Sequence, residues 1–429
     1  MADDEYLVRK MRFMSEELAM KSDQLHALSV PAFSSRAAPL ASTALDRWAL
    51  ARIRSTVTTA RIRFLLWDGV ESLPLSSSAA PFVGTIAFKN RLALFSWLWD
   101  PDLYFGETYM FGAVDVRGDL VAVLCEIYRA LGRETPRSWW LWQRSNDERA
   151  ARENVHRHYD LGNAFYQRWL DREMAYTCAY FPTPAATLEE AQIAKMDRVC
   201  RKLALRPGER VLEAGCGWGG LALYMAREFG VRVRALNVSA EQIAYARDRA
   251  RAERLDDRVE FIEDDYREVR GQYDAFVSAG MLEHVGAADY PVLGAVIDRS
   301  LTARGRGLLH FIGRNRPSPL NPWIRKRIFP GAYPPALAEV CDRVLAPWDL
   351  SVTDVENLRL HYVATLDHWR ARFESAAGDV TAMFDETFVR AWRLYLAGSQ
   401  AAFETGSMQL FQVVFARGGS NAIPWTRFG

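Results

Sequence analysis

Glu213-Ala-Gly215-Cys-Gly217-Trp-Gly219-Gly220 stands between an apolar run, Val211-Leu-Glu-Ala, and a helical pattern from Gly220 to Glu228. Glycines there let the chain turn sharply and bring its backbone against a ligand. The first N–H groups of the following helix stay free to meet a negatively polarised group. The next strand, Val231 to Val238, should end near the ribose hydroxyls of a nucleoside ligand. That end reads Leu236-Asn237-Val238-Ser239 and carries no acid. Asn237 can still bond a hydroxyl, and Glu241 or Gln242 can reach back. Ser239 reads equally as the cap of the next helix, with Gln242 as its capping-box partner. A third strand, Val259-Glu-Phe-Ile, runs into Glu263-Asp264-Asp265-Tyr266. A carboxylate there can accept the amino group of a base, or simply face solvent.

Two cofactor chemistries use such a loop. Gly215, Gly217 and Gly220 satisfy the GxGxxG fingerprint of dinucleotide sites. Gly215, Gly217 and Gly219 satisfy the E/D-x-G-x-G-x-G loop of class I S-adenosylmethionine-dependent methyltransferases. Glu213, two residues before the first glycine, favours the second. A turn whose glycines are only structural fits the pattern too.

The elements around the loop alternate. After Val231–Val238 come a helix over 240–253, the strand at 259–262, a strand at Ala275-Phe-Val-Ser-Ala, a helix from Tyr290 to Leu301 and a strand at Gly307-Leu-Leu-His-Phe-Ile. Alternation of this kind predicts a parallel, doubly wound sheet. A mostly helical tail spans Leu366 to Ala402, and Leu410-Phe-Gln-Val-Val-Phe-Ala closes as a strand. Upstream, residues 1–30 read as a polar helix and Pro31–Pro39 as a linker. Val83–Asn90 and Leu92-Ala-Leu-Phe read as strands, and Asp119–Leu131 as an amphipathic helix, of a small mixed α/β unit. The expected division is an N-terminal domain over 1–135, a linker over 136–152 rich in charge and tryptophan, and a second domain over 153–429.

The chain has 429 residues, more than one ordinary core holds. Its net charge of +1 sets up no global field toward nucleic acid or membrane, so any such attraction is local. Five cysteines without a CxxC pair suit reduced thiols better than disulfides or zinc, and no metal is expected. The acidic start lacks a basic n-region, and no run of about 18 apolar residues occurs. The expected location is the cytoplasm.

Further segments give the loop a context. They are His158-Tyr-Asp-Leu-Gly-Asn163, Tyr176-Thr-Cys-Ala-Tyr-Phe181, Ser239-Ala-Glu-Gln242, Gly280-Met-Leu-Glu-His-Val-Gly286, Leu309-His-Phe-Ile-Gly313 and Pro322-Trp-Ile-Arg-Lys-Arg-Ile-Phe-Pro330. With the glycine loop and its tryptophan they resemble the cyclopropane fatty acid synthase family, which includes the mycolic acid cyclopropane synthases. The resemblance runs from about His156 to Arg417, and more faintly over Phe105-Gly-Glu-Thr-Tyr-Met-Phe-Gly112. It implies a Rossmann-like class I methyltransferase domain behind a smaller N-terminal mixed α/β lipid-binding domain. The implied substrates are S-adenosylmethionine and the cis double bond of an unsaturated phospholipid acyl chain. The implied product is a cyclopropane acyl chain. Tyr176, Thr177, Glu213, Gly215, Gly217, Gly219, Asn237, Ser239, Gln242, Asp264 and Asp265 then fall to the cofactor.

The chemistry accounts for the residue types. An isolated alkene is a weak nucleophile, and its attack on a sulfonium methyl leaves a carbocation that must not meet water. Aromatic faces stabilise such a cation without trapping it. Tyr176, Tyr180, Phe181 and Trp218 lie in motifs near the expected site, as cation partners or as packing. Ring closure removes a proton, and the resemblance implies bicarbonate as the base. Its ligands carry over to Cys178, Glu283, His310, Ile312 (by backbone) and Tyr362. Taken singly, each has an ordinary structural reading; as a set in this context they form a site. Glu283 beside an anion makes sense if it orients His310 or accepts the bicarbonate hydroxyl.

Three departures from the family pattern bear on ribose contact and acyl-pocket shape: Phe311 after His310, Asn237-Val238-Ser239, and the proline-rich Pro330–Pro335. A methyl- or methylene-branched product is the alternative outcome of the same first step. A nicotinamide-dependent oxidoreductase and a non-catalytic lipid carrier are the rivals from other classes. Arg314–Phe329 is basic and aromatic, with Trp323 and Phe329 expected at a membrane interface unless it is a solvated loop; Arg91–Trp99 can add contact. The expected partner is therefore the membrane phospholipid, met peripherally at the inner face, with no nucleic acid. The architecture is also compatible with a homodimer.

Overall fold

The computed structural model describes residues 41–72, 81–132 and 161–421. The expected helix over 1–30, the linker-like Pro31–Pro39 and the stretch 136–152 lie outside the described residues.

The N-terminal unit holds a mixed sheet of β1 (Ile62–Leu65), β2 (Glu71–Ser72), β3 (Gly84–Phe88) and β4 (Val114–Gly118), in the order β2-β1-β3-β4. The helix Leu120–Leu131 forms where its amphipathic pattern predicts, with Asp119 Oδ1 accepting from Ala122 N at 2.7 Å. Leu92–Phe95 is not a strand. It lies in the helix Arg91–Trp99, which Asn90 caps by accepting from Ala93 N at 2.9 Å. A four-residue apolar run cannot separate the two states, and here the cap decides.

The second sheet has seven strands: β5 (Arg210–Ala214), β6 (Arg232–Asn237), β7 (Val259–Glu263), β8 (Tyr273–Ala279), β9 (Leu301–Gly313), β10 (Leu350–Asn357) and β11 (Gln409–Arg417). Their order is β10-β11-β9-β8-β5-β6-β7. Five neighbours run parallel, from β9 to β7, and β11 enters antiparallel against β9. This is the fold of a class I S-adenosylmethionine-dependent methyltransferase. Strand order reverses beside β5, so a crevice opens at the carboxyl ends of β5 and β8. The edge strand β10 has no counterpart among the expected elements. Its exposed, charged face gives little hydrophobic signal.

The two sheets are separate, yet one apolar cluster joins them. It contains Tyr109, Val121 and Leu124 from the first unit together with Trp323, Trp392 and Leu396 from the second. The helix Glu386–Glu404 packs on both Pro101–Met110 and Leu120–Leu131. Trp323 is only 3% exposed, seated so close to Gly106 that a Cβ there would lie 2.2 Å from its ring. Arg327 forks onto the buried Glu107 at 2.7 and 2.6 Å. Phe329 packs on Tyr395, ring centres 5.5 Å apart. The expectation that Trp323 sits at a membrane interface is therefore corrected, since it is tied into the contact between the units, whereas Phe329 is partly exposed and packs on His284 and Tyr395 of the second unit. Apolar burial against Gly106 is available to the indole without any lipid.

Candidate active site

A cleft of about 1120 Å³, counted out to its open mouth, lies across the carboxyl ends of β5, β6, β7 and β8. Gly215 takes a φ of +80°, and its N–H bonds Leu236 O at 2.9 Å, stitching the loop to β6. A Cβ there would lie 2.8 Å from Met281, so only glycine lets loop and Met281 approach. Tyr176, Thr177, Glu213, Gly215, Gly217, Asn237, Gln242, Asp264 and Asp265 all line this cleft.

Two expected cofactor residues do not line it. Gly219, at φ +83°, opens the helix Gly220–Phe229 and faces Phe261 and Ala246, where a Cβ would clash at 2.6 Å. Ser239 is fully buried and caps the helix Ala240–Ala252, its Oγ accepting from Gln242 N at 3.4 Å. Asn237 answers the missing strand-end acid in part. Its Nδ2 donates to Gln242 Oε1 at 2.5 Å and to Gly217 O at 3.4 Å, bracing the loop. Asp265 is held by Arg267, which lines the cleft too.

The expected aromatics divide. Tyr176 and Trp218 line the cleft. Tyr176 donates to or accepts from Tyr395 Oη at 2.7 Å and packs edge-on against Trp169, while Trp218 Nε1 donates to Asn163 Oδ1 at 2.7 Å. Tyr180 and Phe181 turn instead toward the helix Arg359–Ser375, stacking on His361 and His368. The Arg198 guanidinium already covers the Tyr180 ring.

A second constellation forms beneath β9 and β11. Glu283 Oε1 accepts from the Ile312 amide at 2.5 Å. Ile312 pairs with Leu410 across the strands, and Leu410 O accepts from Leu358 N at 2.8 Å. Leu358 O in turn accepts from Tyr362 N at 3.2 Å and from the Cys178 thiol at 3.9 Å. His310 lies two residues before Ile312, on the same strand face. Cys178, Glu283, His310, Ile312 and Tyr362 are thus brought into one neighbourhood from four separate segments. Phe311 points to the opposite face and packs on Phe411, so this departure does not intrude on the constellation. The Pro330–Pro335 segment closes over the helix Leu282–Val285, with Tyr333 N donating to Glu283 O at 2.8 Å.

Burial sets the charges. It pushes the Glu283 carboxyl up to about 7, against the pull of the Ile312 N–H. It lowers His310 to about 3, which keeps the imidazole neutral. The Cys178 thiol is raised far above its ordinary range and stays protonated. Among the described residues, Glu283 Oε2 and His310 Nε2 are buried without a partner.

The residues 146–413 match the mycolic acid cyclopropane synthetase family. The chain belongs to that family. It is an S-adenosylmethionine-dependent methyltransferase. It is similar to a probable fatty acid methyltransferase of Pseudomonas putida, 37% identical over 85% of this chain and 95% of the relative. It is also similar to the cyclopropane-fatty-acyl-phospholipid synthase of Escherichia coli, 42% identical over 62% of this chain and 68% of the relative. The crystal structure of mycolic acid cyclopropane synthase CmaA1 complexed with SAH and CTAB superposes with a TM-score of 0.59 at 30% identity, covering 62% of this chain and 98% of that one.

Two residues of this methyltransferase escaped sequence reasoning. Gln412 is fully buried, and its Nε2 lies 3.1 Å from His310 Nδ1. A lone amide inside Leu410-Phe-Gln-Val-Val-Phe-Ala was the available signal. Lys195 lines the cleft although it belongs to the apolar face of the helix Leu188–Lys202, with Leu188, Ala191 and Val199. A lysine on that stripe was the second signal.

Proposed function

We propose that this protein transfers one carbon from S-adenosylmethionine to the cis double bond of an unsaturated phospholipid acyl chain and closes a cyclopropane ring, with bicarbonate held by the Cys178–Glu283–His310–Ile312–Tyr362 constellation. The observation that carries the reading is a pair of buried polar atoms without a partner among the described residues, Glu283 Oε2 and His310 Nε2, on side chains linked through the Ile312 amide that Glu283 Oε1 accepts two residues along the strand from His310. With the Gln412 amide donating to Nδ1, the single proton of neutral His310 sits on Nε2, a donor. Ionised Glu283 is an acceptor. A donor and an acceptor together suit an ion that carries one O–H and further oxygens. When bound, S-adenosylmethionine supplies an electrophilic methyl and bicarbonate a base too weak to be alkylated in its place.

This chain's residues do the rest. The loop at Gly215 and the strand ends orient the cofactor. The aromatic wall of Tyr176 and Trp218 excludes water and presents π-faces to a cation on the acyl chain. His310, neutral, and Cys178, protonated, hold an anion by hydrogen bonds and compete for no methyl group. The Escherichia coli relative's name favours phospholipid and ring. The Pseudomonas putida relative's name, on the longer alignment, favours a methyl-branched product as the second reading.

The lipid is met peripherally at the inner membrane face. Among the described residues, no helix is long and apolar enough to cross a membrane. Leu45, Trp48, Leu92 and Trp99 are exposed on two adjacent N-terminal helices that the Arg91–Asp46 ion pair joins. Such side chains support interfacial contact.

The test incubates the protein with vesicles of cis-monounsaturated phospholipid and methyl-labelled S-adenosylmethionine, with and without bicarbonate, and resolves the lipids by mass spectrometry. Gain of one CH2 with loss of the double bond, dependent on bicarbonate, is the expected result. Gain of CH2 with a double bond retained moves the product to a branched chain. No transfer to any unsaturated lipid overturns the substrate assignment.

A further inference from the structure

We infer that Lys195 is the counter-charge for the carboxylate at the amino-acid end of S-adenosylmethionine. The cofactor's orientation follows from the cleft. Asp264 and Asp265 at the end of β7 offer acceptors to the adenine amino group, and Asn237 marks the end of β6. From β7 to β5 is two strand spacings, about 10 Å. The amino-acid end therefore lies beyond Gly215, where Glu173, Ala175, Thr177, Lys195 and Glu213 line the cleft.

Lys195 is built into that end. It is 3% exposed, and its Nζ donates to Thr177 Oγ1 at 2.9 Å, a neutral partner. One turn earlier, Gln192 Nε2 bonds Ala175 O at 3.1 Å and Thr177 O at 2.9 Å, so the segment above the ammonium is pinned to the same helix. The nearest acids are committed or neutral. Both carboxylate oxygens of Asp171 accept backbone N–H groups, from Glu173 and Ala175, each at 2.9 Å. Glu213 is raised to about 8 by burial, so it is mostly protonated at neutral pH, and its Oε2 has no partner among the described residues. Among the described residues, no carboxylate forms an ion pair with Lys195.

A buried ammonium without an anion in contact is costly, and burial pulls its pKa down, with Asp171 opposing. The cofactor adds a sulfonium and an ammonium, both of which Lys195 repels. The carboxylate is the cofactor's one anionic group, so a buried cation at this end favours binding only by meeting it. Salt-bridged to Lys195, the carboxylate also sets the reach of the sulfonium along the cleft toward Tyr176.

The experiment is isothermal titration of the full chain with S-adenosylhomocysteine and with its decarboxylated thioether, S-adenosyl-3-thiopropylamine, in wild type, Lys195→Gln and Lys195→Met. Wild type is expected to prefer S-adenosylhomocysteine at least tenfold. Both variants are expected to lose about that factor for S-adenosylhomocysteine and little for the amine, bringing the ratio near one. A ratio unchanged by either substitution overturns the inference. So does equal affinity of wild type for both ligands, an outcome that does not depend on the variants folding. Thermal unfolding of the unliganded proteins separates a general loss of structure, which weakens both ligands alike and likewise counts against the assignment.

Discussion

Gln412 faces His310 across the antiparallel pair β9–β11, its Nε2 3.1 Å from the imidazole Nδ1, although 102 residues separate them in sequence. A buried amide N–H on Nδ1 leaves the ring proton on Nε2. Replacing Gln412 with Leu frees the tautomer, and nitrogen NMR of the labelled imidazole should then show protonation shared between the two positions. Under the proposed bicarbonate role, the variant's stimulation by bicarbonate should weaken about tenfold relative to wild type, while S-adenosylhomocysteine affinity stays within about twofold. An unchanged tautomer in Gln412→Leu would refute the positioning role.

Glu283 gives a pH signature of known sign. Its folded pKa of about 7 exceeds its ordinary 4.5, so the native state binds this proton more tightly than the unfolded chain. The resulting stability is present below pH 4.5 and lost as pH rises toward 7, a difference of about 3 kcal/mol. Glu283→Gln keeps an acceptor for the Ile312 N–H and removes the ionisation. Denaturant unfolding at pH 5 and pH 8 should show the variant gaining on wild type at the higher pH. A constant difference between the two pH values would contradict the burial of this carboxyl.

One buried carboxylate, Glu107, ties the N-terminal unit to Arg327 of the second. Arg327→Met leaves Glu107 with Lys326 at 3.5 Å as its remaining cation. The cost should be about 2–4 kcal/mol, eased by that lysine. Adding Glu107→Gln should recover part of it. Gly106→Ala should destabilise by about 1–3 kcal/mol, because the indole of Trp323 must shift. Equilibrium unfolding of five proteins, wild type, the three single variants (Glu107→Gln included) and the Arg327→Met/Glu107→Gln double, checks both statements, and additive effects of the Arg327 and Glu107 changes would deny the pairing.

Cysteine labelling reports on the state of Cys178. Burial raises its thiol far above the ordinary range, and Cys200 and Cys216 are raised likewise. Cys341 is the least buried of the five. Iodoacetamide at pH 8 should therefore modify Cys341 first and leave Cys178 intact until the protein unfolds. Mass mapping that finds Cys178 alkylated in the folded protein would contradict its proposed role as a neutral donor.

Much of this protein is local and so legible in the sequence alone. The glycine loop, the alternation of strand and helix from 210 to 313, and the caps at Asp119 and Ser239 depend on residues within a few positions of one another. Backbone sterics and hydrophobic periodicity act over that range. The resemblance singled out Cys178, Glu283, His310, Ile312 and Tyr362, from four separate segments that the fold places around β9 and β11. Local signals failed where two states share one pattern, as at Leu92–Phe95, and where a charged edge strand such as β10 hides its periodicity. Composition also misled at Trp323: Arg314–Phe329 reads as an interfacial segment, and its indole is instead buried against Gly106 of the N-terminal unit. Tertiary structure alone decided that Gly219 and Ser239 turn away from the cleft, that Gln412 meets His310, and that Lys195 lies under Thr177. Those outcomes follow from strand order, register and burial, which pair residues a hundred positions apart and leave no periodic trace in the chain.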